Sequence, residues 1–552
     1  MVKISELKLR LEEMSNEQEA LYQAAAKRLG VKRTALNDLI ITKKSIDARR
    51  RHEIWFHYQI LVTCEDAKAL RKNRKGVSFE EAPQLLSMTS GDANLRNRPI
   101  IIGFGPAGMF AGLLLAKHGY CPLILERGMD VDTRSEQVKR FWESGELDEN
   151  SNVQFGEGGA GTFSDGKLTA RSKDARMAHV LLELIAHGAP QSILCDAHPH
   201  IGTDRLKGIV KAIREDIIAH GGEVRFGAKV SDMRTQNGRV SALCVNEEWI
   251  RCDQVIMAIG HSARDTFQML KERDVALEAK PFAVGMRIEH PQSLIDESQY
   301  HEFAHDPALG RASYRLTHQA STGKGVYTFC MCPGGYVVPA ASNEKQVVVN
   351  GMSEYARDGA NANSAVLVQV NESDYGSGVF AGMHYQEELE KKAYQLGGGH
   401  FHAPVQLAKD YLADRPSTAF GKVRPTYARG TCFAPLKELF SDVINQSLKE
   451  GLLAFERKIP GFVSEDALLC AVESRSSSPI RILRDQNHRS LSYPNLYPCG
   501  EGAGYAGGII SSAIDGVRCA QKIIETFAPL QERSEKRKEE NTKRKRKEYY
   551  CR

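Results

Sequence analysis

Residues 98–128, RPIIIGFGPAGMFAGLLLAKHGYCPLILERG, contain every part of a dinucleotide-binding unit in the required order. Ile100 to Ile102 read as a buried parallel strand, and Gly103, Gly105 and Gly108 place G-x-G-x-x-G where that strand turns into a helix. The first glycine permits the tight turn. The second lets backbone approach a pyrophosphate, and the third lets helix and strand pack closely. Pro106 and Ala107 open the helix, whose unpaired N–H groups and positive dipole end face the phosphates. Leu123 to Leu125 form the next apolar strand, ending at Glu126, the acid expected to accept hydrogen bonds from a ribose diol, with Arg127 beside it. The apolar run 100–116 is not a bilayer span, because three of its glycines and a proline interrupt it and a span needs about 20 residues.

With 552 residues, 42% of them hydrophobic and 26% charged, the chain has the composition of a multidomain globular protein. Its N-terminal residues, MVKISELKLRLEEMS, lack the apolar core of a secretory signal and the character of a transit peptide, which predicts a cytoplasmic location. Twelve cysteines without a C-x-x-C pair argue against a zinc ribbon or a secreted disulfide framework. Isolated histidines such as His318 and the His400/His402 pair lack acidic partners at ligand spacing, so no metal site is read. The net charge of +5 resides at the two ends. The tail EKRKEENTKRKRKEYYCR has the composition of a disordered, solubilising segment.

The patterning predicts an α/β protein: a Rossmann-like dinucleotide-binding domain with an inserted mixed α+β domain, preceded by a small α+β domain. The expected boundaries are a small basic domain over 1–92, the first part of the cofactor domain over 98–275, an inserted substrate or cap domain over 276–475, the return of the cofactor domain over 476–529, and a basic disordered tail over 530–552. In the first, strands KISELKLRL, DLIITKKSI and EIWFHYQILVTC accompany a helix after Ser15, with Ser15 and Gln18 as a capping box and Arg49 to Arg51 in a hairpin. A linker is placed between Phe79 and Arg98. A helix over Asp204 to His220, an edge strand in 222–230, a meander over Met233 to Cys252 turning at Asn237-Gly238, and a strand in QVIMAIG follow. The inserted part reads as strands GVYTFCMC, GGYVVPA and QVVVNGMS with helices over 386–394 and 436–455.

A second glycine constellation, NLYPCGEGAGYAGG over 495–508, precedes the helix IISSAIDGVRCAQKIIETF. The pattern resembles the flavoproteins with two dinucleotide-binding domains, the glutathione-reductase-like group. There an acid after a late strand and glycine binds the ribityl and phosphate region of FAD, and the following helix N-terminus faces the flavin pyrimidine. The resemblance assigns these roles to Gly500 and Glu501, and to Gly508 and Ile509, with glutamate replacing the commoner aspartate. The group's A-T-G strand end appears here as Ala258-Ile259-Gly260, and Val230 falls at a further expected cofactor contact. The loop NVQFGEGGAGTFSDGKL over 152–168 supplies Gly158, Gly159, Gly161, Thr162 and Phe163, whose backbone is suited to lie against flavin or phosphates. Together with IGHSARDTF, KPFAVGMRIEHP, FCMCPGG, NANSA and ESRSSSPIRILRD, this loop is similar to a family of bacterial FAD-dependent dehydrogenases without a defined substrate.

Flavin performs redox chemistry itself, so the protein needs to position it and admit a substrate. Cys330 and Cys332 are the sharpest redox or substrate candidates, and strand alternation points both to one face. The alternative is a pair of small buried hydrophobes. The spacing is not that of a dithiol reductase. Arg475, near the domain junction, is suited to place positive charge near flavin N1 or to clamp an anion, the alternative being an interface salt bridge. The expected activity is an FAD-dependent oxidoreductase acting through flavin N5 on an unidentified small molecule or electron acceptor. NADH or NADPH enters as a transient reductant, since no second G-x-G-x-x-G unit is seen. Two other readings follow from the basic ends and the cysteine pair: a flavin-dependent RNA modifier, disfavoured by the scarcity of stacking aromatics in the tail, and a non-catalytic redox sensor.

Overall fold

The structure is a computed structural model that describes residues 1–66, 75–169 and 174–530. The predicted dinucleotide unit forms the middle of a five-stranded parallel sheet whose order is Leu496–Pro498, Val255–Met257, Ile100–Ile102, Leu123–Leu125, Glu223–Arg225. Side-chain alternation divides this sheet between two layers. Ile101, Ile124 and Ile256 pack under the helices Pro106–Lys117, Thr203–Ala219 and Ile509–Thr526. Ile100, Ile102, Leu123, Leu125, Val255 and Met257 face the opposite way, against the meander Val230–Gln236, Arg239–Val245, Glu248–Arg251. The meander turns at Asn237 and Gly238, both with positive φ, as an Asn-Gly hairpin requires. Both faces of the parallel strands are therefore covered, which is why they read as unbroken apolar triplets.

Between the fourth and fifth parallel strands in the chain lies a seven-stranded, largely antiparallel sheet. Its central strands Asn361–Val370, Phe282–Pro291 and Leu468–Glu473 are buried on both faces. The N-terminal residues form a four-stranded sheet in which Val2–Arg10 lies between Glu53–Cys64 and Val77–Phe79, with Leu36–Arg50 at the other edge. The apolar core of this sheet and helix Glu17–Leu29 is continuous with that of the seven-stranded sheet. The protein is thus an α/β fold with a Rossmann-type parallel sheet and two further sheets.

Some local expectations are corrected. The helix begins at Glu17 with Asn16 as its N-cap residue and no side-chain cap, and Leu11–Asn16 is a 3-10 turn, so Ser15 and Gln18 make no capping box. The Ser15 hydroxyl instead donates to Glu12 O at 3.4 Å. The expected helix over 436–455 is broken into the 3-10 turn Leu436–Leu439 and the helix Asp442–Glu456, with Ser441 between them in extended conformation. The tail over 531–552 lies outside the described residues.

Candidate active site

Two of the glycines meet different demands at the first turn. Gly103 has φ 95°, and a Cβ there would sit 2.3 Å from Ala258 O. At Gly108 a Cβ would meet Gly103 O at 2.0 Å, so the third glycine sets the distance between helix and strand. At Gly105, by contrast, the nearest neighbour of a Cβ is Gly159 Cα at 3.7 Å, and the space belongs to the cavity. Glu126 is almost fully buried, and its carboxylate accepts from Phe104 N at 2.7 Å and from Gly128 N and Gly156 N at 2.9 Å. Three of its roughly four lone-pair directions are thereby filled, leaving one for a hydroxyl donor from the cavity. Arg127 donates to Asp265 Oδ1 at 2.8 Å, and its guanidinium lies 4.4 Å from the Phe155 ring centre.

One cavity of about 1100 Å³ starts at this turn and extends to the seven-stranded sheet. It exceeds the roughly 300–1000 Å³ of most ligand pockets. Its dinucleotide end is lined by Gly103, Gly105, Pro106, Ala107, Glu126 and Arg127, with Val230, Ala258 and Gly260 alongside. Gly159 and Gly161 from the glycine-rich loop, and Glu501, Gly508 and Ile509 from the late turn and helix, line its middle. Cys330 and Arg475 lie on the wall at the far end, together with Lys167, His261 and Glu473.

Other expected site residues are placed behind this wall. Gly108, Gly158, Thr162, Phe163, Gly500 and Cys332 do not line the cavity. Gly158 takes φ 80°, and Thr162 is buried with its hydroxyl donating to Glu157 O at 3.1 Å, so both shape the loop. Gly500 N donates to Asp515 Oδ2 at 2.8 Å, and Asp515 pairs through both oxygens with Arg484 at 2.7 and 2.8 Å. Cys499, Asp515 and Cys519 offer ligand atoms within 4.8 Å of one another, but the Arg484 guanidinium already supplies the positive charge there.

Sequence reading missed the residue that organises the glycine-rich loop. Arg134 is fully buried on helix Val131–Ser144 and donates to four carbonyls: Asn152 O at 2.8 Å, Glu157 O at 2.6 Å, Val153 O at 2.9 Å and Gly159 O at 3.0 Å. Burial lowers its pKa to about 10, opposed by Glu126 and Glu157, so the guanidinium remains charged at neutral pH.

Arg475 is an interface residue. Its Nε and Nη2 bind both oxygens of Glu390 at 2.9 and 2.8 Å, its Nη1 donates to Ser262 and Ser342, and Nη2 also reaches Asn343 at 3.3 Å. All five N–H donors have partners, so none is left to clamp an anionic substrate. Arg264 also donates to Glu390, at 3.0 and 3.1 Å. Burial alone would raise the Glu390 pKa, but the two guanidinium groups bring it to about 2. Desolvation, with Arg475 and Arg264 nearby, lowers His261 to about 3, so its ring is neutral.

The cysteine pair does not share a face through simple alternation. Cys330 has φ 45°, and the strand carries a bulge between Phe329, opposite Ala365, and Cys332, opposite Asn363. Cys330 consequently lines the cavity while Cys332 is fully buried.

Glu501 is raised to about 7 by burial, with Lys280 opposing. A raised carboxylate contributes stability that is complete below its unfolded value and declines as pH rises through about 7. Glu501→Gln is therefore expected to flatten the loss of stability between roughly pH 4.5 and 7. Urea unfolding of the cofactor-stripped protein across that range checks this, and an unchanged pH slope would rule it out.

The profile described as FAD-dependent protein, C-terminal domain-like, matches residues 281–476, and that of flavin containing amine oxidoreductase matches residues 149–280. A domain of unknown function matches residues 1–63. An uncharacterized protein of Clostridium beijerinckii is 48% identical over 530 residues, spanning 95% of this chain and 99% of that protein. The chain belongs to this family of FAD-dependent proteins. Among solved structures, glycine oxidase from Bacillus cereus is 11% identical over 78% of this chain and 98% of its own, with a TM-score of 0.31. Halogenase PltM in complex with phloroglucinol and FAD is 13% identical over 77% and 69%, with a TM-score of 0.34. Among the described residues no helix is long and apolar enough to cross a membrane.

Proposed function

We propose that this family member is an FAD-dependent oxidoreductase that binds its cofactor along this cavity and acts on a small molecule at the cavity's far end. The observation that carries the reading is the continuity of that cavity from Glu126, at the first glycine turn, to Cys330 and Glu473 on the second sheet. Residues 98–275 and 476–529 form the cofactor-binding unit in this reading, and residues 276–475 cap the substrate end. Glu126 accepts from a ribose hydroxyl, the backbone at Gly105 and Pro106 receives the pyrophosphate, and the N-terminus of Ile509–Thr526 faces the flavin ring.

Bound flavin supplies two-electron redox chemistry. The chain's own groups orient and protonate. Glu473 is raised to about 7 by burial, opposed by Arg287, so near neutral pH it exists in both protonation states. It lines the cavity, which suits it to hold or release a proton beside the substrate. NADH or NADPH acts as a transient reductant within the same cavity.

The test is spectroscopic. Purified protein should carry a flavin absorbance band, and the released cofactor should be FAD. Glu126→Ala should bind it about tenfold to a hundredfold more weakly, the value of one hydrogen bond to a charged group. Equal affinity would place the cofactor elsewhere. Anaerobic mixing with NADH and with NADPH then reads the reductant directly, and an unbleached flavin with both removes the nicotinamide step.

A further inference from the structure

The N-terminal sheet has one covered face and one open face. Ile54, Phe56, Tyr58 and Ile60 of strand Glu53–Cys64 are buried in the core, and Trp55, His57 and Gln59 alternate with them on the opposite side, half-buried. The register across the neighbouring strands sets these residues in rows. Trp55 stands between Arg10 and Asp47, His57 lies beside Lys8, and Gln59 lies beside Lys43. Among the described residues Trp55 packs into no apolar cluster, and the Arg10 guanidinium lies 5.1 Å from its ring centre.

This face and the hairpin that ends it carry a positive excess. Asp47 is bound by Arg49 at 2.6 Å and faces His57 at 3.5 Å, and Glu53 is bound by Arg50 at 2.9 Å. Glu13, past the end of the first strand, accepts the Arg10 backbone N–H at 2.7 Å, while the Arg10 guanidinium rests on Trp55. Lys8, Lys43 and Arg51 are exposed and hold no carboxylate among the described residues. Together with Arg10, they leave four cations for an outside anion. A face that served only solubility would need no tryptophan among its lysines.

We propose that this open face binds single-stranded nucleic acid, an interaction independent of the flavin reading. Lys8, Arg10, Lys43 and Arg51 neutralise phosphates, and a base stacks against Trp55 and the Arg10 plane. An unpaired strand is the occupant for a chemical reason. Bases inside a duplex hide their planes from a side chain, whereas those of a single strand are free to lie on an aromatic ring. Gln59 and His57, in the rows beyond Trp55, offer donors and acceptors to base edges. Trp55 is half-buried between its neighbours rather than projecting, which suits stacking and not insertion into lipid. Stacking aromatics are scarce in the basic tail, and the sheet supplies one at the centre of a basic surface.

A fluorescein-labelled uridine dodecamer is the probe, read by anisotropy with the purified full chain. Four phosphate contacts on a single strand give a salt slope of about −2.8, so affinity should fall roughly fiftyfold between about 50 and 200 mM salt. Trp55→Ala should weaken binding about fivefold or more at an unchanged slope, and Trp55→Phe should restore most of the loss. Lys8→Ala combined with Lys43→Ala should reduce the slope by about 1.4. Wild-type protein that ignores the oligomer at about 50 mM salt overturns the proposal without depending on any variant's folding. So does undiminished binding by folded Trp55→Ala protein, equal affinity for a duplex of the same length, or capture by phosphatidylserine vesicles in place of the oligomer. The flavin-to-protein ratio is expected to stay at the wild-type value in every variant, since these residues do not line the cavity. Oligomer binding by a protein without FAD refutes the preceding reading alone, and an FAD-loaded protein that ignores the oligomer refutes this one alone.

Discussion

Arg134→Met is expected to cost at least about 4 kcal/mol of folding stability and to abolish retention of flavin. Methionine fills much of the same space, so the loss is polar rather than steric. The carbonyls of Asn152, Val153 and Gly159 lose the guanidinium donor in a region closed to water, and that of Glu157 is left with the Thr162 hydroxyl alone. An orphaned buried acceptor costs about 1–3 kcal/mol, and the loop recovers part of that only by moving. Any such movement displaces Gly159, which lies directly against Gly105, and disturbs Gly156, whose N–H holds Glu126. A domain is stable by only about 5–15 kcal/mol, so the variant is brought near its unfolding threshold. Urea unfolding and flavin-to-protein ratio measure the two effects. Wild-type values for both would show that the loop carries its own conformation.

The second large effect is expected at Glu390→Gln, which removes one charge from between two buried guanidinium groups. Breaking a buried ion pair on one side costs about 3–5 kcal/mol, because the remaining charges stay desolvated without compensation. Here Arg475 loses the carboxylate it binds and Arg264 keeps only Glu387, at 3.5 Å, and the two arginines come from opposite sides of the junction between the parallel and seven-stranded sheets. The Glu390 pKa is depressed to about 2, so in wild-type protein its contribution is fully present above the unfolded value near 4.5 and is lost as pH falls toward 2. The variant should lack that part of the acid transition. Adding Arg264→Met to Glu390→Gln should restore some of the lost stability, since it removes one of the two buried cations that faced the lost charge. Additive losses in the double variant would contradict the coupling, and a thermodynamic cycle at pH 7 and pH 3 measures it.

The parts of this molecule that were legible in the sequence are those whose meaning is local. Gly103, Gly108 and Glu126 lie within one strand-turn-helix-strand unit, where spacing alone dictates geometry. The late strand Leu496–Pro498 and helix Ile509–Thr526 were legible for the same reason. Arg134 was not, because nothing in VDTRSEQVKR distinguishes it from a solvated helical arginine until the loop folds back over it. Glu390 has the same anonymity in YQEELEKK, and its two arginines are 85 and 126 residues away. The cysteine geometry was misread because period-two alternation assumes an unbroken strand, and a bulge cannot be recognised from GVYTFCMC. Arg475 was flagged at the right junction, but only the structure shows all its donors engaged.

The order of strands also dictates when the cofactor site is completed during synthesis. Val255–Met257 has its outer neighbour, Leu496–Pro498, only after roughly 240 further residues have been added. At about 5–20 residues per second that delay is ten seconds or more. Throughout it, one edge of the nascent parallel sheet is unpaired, and the turn carrying Glu501 does not yet exist. A ribosome-bound chain ending before residue 496 should therefore fail to retain flavin even with residues 98–257 fully exposed, making cofactor capture a late event in the life of the polypeptide.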